Sequence, residues 1–167
     1  MTRDELSLST EDLDSLLREL ASRGGRFRFR ARTRGISMQP LIHQGDTILV
    51  EVVRPSQLGL GDLVLYRWPK GPYIVHRLIK KEKSADKVVL VTQGDNHSGQ
   101  DIPFNEEQAV GRVLEVQRDG YRMRLDRGAG RVFNSLVYRL SPWKPWRFSW
   151  LRWLARYPWR WVGRLMG

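Results

Sequence analysis

The chain has 167 residues, enough for one domain with a buried core. Hydrophobic residues make up 41% of it, and with 15 Gly and 8 Pro this fits a loop-rich globular protein and excludes a disordered one. The absence of cysteine excludes disulfides, thiol catalysis and Cys-ligated zinc, while the net charge of +11 points to anionic partners, either nucleic acid or an anionic membrane surface.

The first twenty residues are acidic on balance: Asp4, Glu5, Glu11, Asp12, Asp14 and Glu19 outweigh Arg3 and Arg18. Leu13, Leu16, Leu17 and Leu20 predict an amphipathic helix over about Ser9–Arg23, capped by Ser9 or Thr10 and stopped at Gly24-Gly25. Phe27, Phe29, Ala31 and Thr33 then alternate with arginines, the period-two pattern of a half-exposed strand. Further strands are expected at Thr47–Val53, Leu63–Trp68, Tyr73–Ile79, Val88–Gln93, Gly111–Gln117 and Tyr121–Leu125, with turns at Gly71-Pro72 and Asp119-Gly120. Seven short strands at this spacing predict a mainly β fold, a coiled antiparallel sheet or partly closed barrel.

After Val132 the composition changes. Six of the seven tryptophans lie between Trp143 and Trp161, interleaved with arginine, and no acidic residue follows Asp126. A helix from Trp146 to Tyr157 would align Trp146, Trp150, Trp153 and Tyr157, a pattern suited to the headgroup level of a bilayer. The expected organisation is therefore an N-terminal helix (1–24), a β-rich domain (25–133) and a Trp/Arg-rich tail (134–167). No run reaches the roughly 18–20 apolar residues that a spanning helix needs. The acidic N-terminus does not read as a signal peptide. The expectation is a peripheral membrane protein, attached through 142–167 and facing the cytoplasm.

The chemistry centres on Gly35-Ile36-Ser37-Met38-Gln39-Pro40, followed by Gly45-Asp46. A serine hydroxyl needs a base within hydrogen-bond reach to act as a nucleophile. His43 and His97 lie in polar links and read as solvated. His76 interrupts the apolar run Tyr73-Ile74-Val75 and Leu78-Ile79, so it needs a partner, structural or catalytic. Gly94-Asp95-Asn96 and Asp101 supply carboxylates. They lack the register of a calcium loop, and no metal or organic cofactor is expected.

In order and spacing, these motifs, with Gly61-Asp62-Leu63-Val64-Leu65-Tyr66 and Val110-Gly111-Arg112-Val113, resemble the signal peptidase-like serine peptidases, S24/S26 in type. The similarity runs from about Phe29 to Val116 and is closest to the His-type branch of archaea, the endoplasmic reticulum and some Gram-positive bacteria. The resemblance implies a LexA-like coiled β domain and a serine endopeptidase with Ser37 as nucleophile and His76 as base. Asp101 would orient His76 and Asp95 would organise its turn, or the reverse. The Ser37 N–H would serve the oxyanion. Lys-type relatives carry a hydroxyl two residues before the serine, where this chain has Gly35. The substrate implied is an extended peptide with small residues before the cut. The rival class is a LexA-like self-cleaving or nucleic-acid-binding regulator. The 34 residues before Gly35 are too few for a helix-turn-helix domain, and no Ala-Gly or Cys-Gly bond precedes Ser37. A non-catalytic β module is disfavoured by retention of every triad candidate.

Overall fold

The computed structural model describes residues 12, 14–17, 19, 28–68, 71–84 and 87–140. Among the described residues eight strands form one sheet: β1 (Arg28–Arg32), β2 (Thr47–Val52), β3 (Leu63–Arg67), β4 (Tyr73–Ser84), β5 (Lys87–Gln93), β6 (Phe104–Asn105), β7 (Ala109–Arg118) and β8 (Tyr121–Arg124). Their order is β1-β2-β7-β3-β4-β5-β6, with β8 paired to β7, and every pairing is antiparallel. The expected mainly β, coiled antiparallel architecture is what the chain adopts. β7 carries the curvature: one edge pairs β2 throughout, while β3 and β8 share the other, with register shifts at Leu49/Val50 and Leu65/Tyr66. Such irregularities bend strands and increase twist.

The sheet is buried on both sides at its centre. Along β3, Leu63 and Leu65 join a core with Met38, Leu41, Ile48, Val50, Val113, Val116 and Met123. The alternate residues Val64 and Tyr66 join a second core with Leu58, Leu78, Leu90 and Phe104. A strand buried on both faces loses its polar alternation, and Leu63-Val64-Leu65-Tyr66 is apolar at every position for that reason.

Each expected strand forms, with differences at the ends. β4 runs beyond Ile79 to Ser84 through Lys80-Lys81-Glu82-Lys83, and the two-residue β6 closes the far edge. A helix over Gly128–Leu140 was not expected; it packs on β8, where the Gly130 backbone lies so near Arg124 O that a Cβ would sit 2.0 Å from it. Of the N-terminal helix, positions 12, 14–17 and 19 are helical. There Leu17 is buried, and Asp14 pairs with Arg67 and accepts the Tyr73 hydroxyl, tying the segment to β3 and β4. The remainder of that helix and the whole 142–167 segment lie outside the described residues.

Candidate active site

Ser37 lies in the connection between β1 and β2. The turn begins at Gly35, whose φ of +88° is a conformation side chains rarely adopt, and Gly45 closes it at +89°. Met38, Leu41 and Ile42 plug the connection into the first core. Asp46 accepts from the His43 N–H and takes a two-pronged ion pair from Arg118 on β7, so the Gly45-Asp46 pair anchors the far end.

His76 lies on β4 directly opposite Val64 of β3. Cross-strand partners share a face, which sets His76 above the second core, beside Tyr66 and, across Leu78, Thr92 of β5. His76 Nε2 is 3.0 Å from Ser37 Oγ, and His76 Nδ1 is 2.6 Å from Asp101 Oδ2. An ionised carboxylate only accepts, so Nδ1 must carry the proton, which leaves Nε2 free to accept the Ser37 hydroxyl.

Asp101 is itself held in place. Its N–H donates to Thr92 O at 2.8 Å, and Oδ2 accepts from Thr92 Oγ1 at 2.7 Å and from the Tyr66 hydroxyl at 3.3 Å. Burial alone would raise its pKa. The hydrogen bonds from His76, Thr92 and Tyr66 outweigh burial and hold it below the usual 3.8. The Tyr66 hydroxyl is pushed up to about 12, chiefly by burial and further by the Asp101 charge. Its ring stacks on Phe104 at 4.2 Å between centroids.

Asp95 takes a different partner from Asp101. It forms a bidentate pair with Arg77 (Nε and Nη2, both 2.7 Å), with the Arg77 and Asp95 side chains 0% and 1% exposed. Arg77 Nη1 also donates to Gly61 O and to Asn134 Oδ1 of the Gly128–Leu140 helix. Beside this pair the backbone of Gly94 touches the site: a Cβ there would lie 2.9 Å from Ser37 O and 3.1 Å from His76 Nε2. Asn96 N–H donates to Ser37 O at 2.7 Å, stitching the two loops together.

The structure thus brings Ser37, His76 and Asp101 into one hydrogen-bonded line and sets Asp95 apart on Arg77. His43 serves its own turn through its backbone. His97 is exposed, its ring edge-on to His76 at 5.7 Å. Thr92 and Arg118 were not singled out from the sequence, and nothing local marks them; a threonine in an apolar strand is ordinary strand composition. Among the described residues no group of three His, Asp or Glu side chains could hold a metal ion, and no helix is long and apolar enough to cross a membrane.

Comparison with known proteins bears on the family of the chain. The family described as Peptidase S24-like matches residues 6–114. Signal peptidase complex catalytic subunits are similar to the chain: 33% identity over 85 residues with that of Zygosaccharomyces rouxii, 30% over 84 with that of Schizosaccharomyces pombe and 40% over 67 with that of Clavispora lusitaniae. These matches cover 50%, 40% and 40% of this chain and 49%, 44% and 40% of the respective relatives, so the chain spans about half their length or less.

Proposed function

The chain belongs to the peptidase S24-like family, and from that footing we propose that it is a serine endopeptidase of signal-peptidase type acting on precursor or leader peptides. One observation carries the reading: the unbroken line Ser37 Oγ, His76 Nε2, His76 Nδ1, Asp101 Oδ2. In the proposed mechanism Ser37 Oγ attacks the scissile carbonyl while its proton passes to His76 Nε2. Asp101 stabilises the imidazolium that forms and keeps the ring in the productive tautomer. The Ser37 N–H donates to the developing oxyanion. His76 then gives the proton to the leaving amine, and a water deprotonated by the same nitrogen releases the acyl group from Ser37. Small residues before the cut are carried over from the resemblance.

Attachment to a membrane through 142–167 belongs to this reading, motivated by six tryptophans interleaved with basic residues. So does a site that faces the cytoplasm.

The test is turnover of a precursor peptide bearing Ala-x-Ala by the full chain, alongside circular dichroism. Ser37→Ala and His76→Ala should each reduce cleavage to background with the spectrum unchanged. Full activity in either variant would remove the mechanism.

A further inference from the structure

The Gly128–Leu140 helix has two dissimilar faces. Gly130 and Val137 are buried against the sheet, with Phe133, Asn134 and Tyr138 partly covered beside them. On the other side Val132, Leu136 and Leu140 follow one another at i, i+4 and i+8, and they are 61%, 50% and 46% exposed. That spacing lays them in one row along the helix, which at 13 residues is about 20 Å long. Arg127, Arg131 and Arg139 are exposed alongside, and the helix carries no acidic residue.

We propose that this face is a lipid-contacting surface that docks the folded domain on an anionic bilayer. It rests on the membrane part of the reading above and extends contact from the tail onto the β domain itself. Val132, Leu136 and Leu140 enter the boundary between headgroups and acyl chains, and the arginines meet lipid phosphates. Charge decides against the nearer occupants. The segment from Ser141 to Gly167 carries Lys144, Arg147, Arg152, Arg156, Arg160 and Arg164 without one acid, so folding it back would set cation against cation. A second copy brings the same cations to the same face. Nucleic acid would satisfy the arginines, but the aliphatic row has no ring on which a base could stack. A bilayer takes both components. In the sequence the tryptophans begin at Trp143, three residues after Leu140, so the aliphatic row and the tail are consecutive along the chain.

The chain has no cysteine, so a single one can be introduced and labelled cleanly. The experiment uses full-length Leu136→Cys carrying an environment-sensitive fluorophore, with Glu107→Cys, on the turn after β6, as the control position. Each is mixed with vesicles of phosphatidylcholine and phosphatidylglycerol, and separately with phosphatidylcholine alone. The label at 136 should shift to the blue on the mixed vesicles while the label at 107 does not. Arg131→Gln and Arg139→Gln should each weaken vesicle binding about fivefold. An unshifted label at 136 on protein that sediments with vesicles would overturn the proposal. So would a label already blue-shifted without lipid, which means that the tail or another copy covers the face. Failure to sediment at all overturns it as well. None of these readings uses cleavage, so loss of the peptidase reading leaves a separate signature in the Ser37→Ala assay.

Discussion

Thr92 and Gly94 show how closely the proposed triad depends on neighbours that do no chemistry. Thr92 grips Asp101 twice, through its carbonyl and its hydroxyl, and it is completely buried. Thr92→Val keeps the volume and removes one donor from the Asp101 carboxylate, a loss of about 1–1.5 kcal/mol. Peptide turnover is expected to fall about tenfold, with Thr92→Ser restoring it; equal turnover in Val and Ser variants would deny the hydroxyl a part. Gly94 presents bare backbone to Ser37 and His76, and an alanine methyl would wedge between them. Gly94→Ala should therefore lose nearly all activity, and unaltered kinetics would mean that the loop yields. Acid titration addresses Asp101 separately. Its folded pKa lies below 3.8, so the ionised form stabilises the fold above that value, and the contribution is lost as pH falls through the lower folded pKa. The stability difference between wild type and Asp101→Asn, measured by urea unfolding, should be constant at neutral pH and shrink below 3.8.

Arg77 bonds both the Gly128–Leu140 helix, at Asn134, and the Asp95 loop. Removing one partner of a fully buried pair strands the other charge, at a cost of about 3 kcal/mol or more. Asp95→Ala should lower Tm by roughly 10 °C. Asp101→Asn should lower Tm less than Asp95→Ala does yet cut turnover by orders of magnitude, because it supports the wrong tautomer. Reversed effects would exchange the two aspartates' roles. These elements differ in how far the sequence revealed them. The half-buried strands β2, β5 and β7 announce themselves by composition and turns, and His76 stood out because an apolar strand left it needing a partner. The outer half of β4 is a Lys/Glu run exposed at Lys80, Glu82 and Lys83, so no apolar alternation marks it. The Gly128–Leu140 helix opens with Gly128 and Gly130, poor helix formers, so its first turn carries no helix signal. At Gly130 the residue is instead required by close approach to β8. Gly130→Ala should accordingly destabilise the protein, although alanine is the better helix former.

The proposed catalytic line and the proposed lipid-contacting row belong to different elements, the first to the β1–β2 connection, β4 and the loop after β5, the second to the Gly128–Leu140 helix. The charge of +11 leaves bilayer and nucleic acid both open at the level of composition, because each offers phosphates to arginine. Their salt dependence differs for a physical reason. Contact with nucleic acid through arginine releases counterions, so affinity falls as a power of the salt concentration, steeply when six or more phosphates are neutralised. Contact with a bilayer through Val132, Leu136, Leu140 and the tail tryptophans adds an apolar contribution that salt does not screen, while the Debye length shrinks to about 3 Å at 1 M. The full-length protein should therefore sediment with anionic vesicles at low salt and retain a substantial bound fraction at 1 M. Single-stranded nucleic acid, offered in the same series, should bind weakly and be released early. Complete release from vesicles by salt, together with tight and steeply salt-dependent binding to the nucleic acid, would transfer the basic surface to the other class of partner and leave the peptidase site without a membrane beside it.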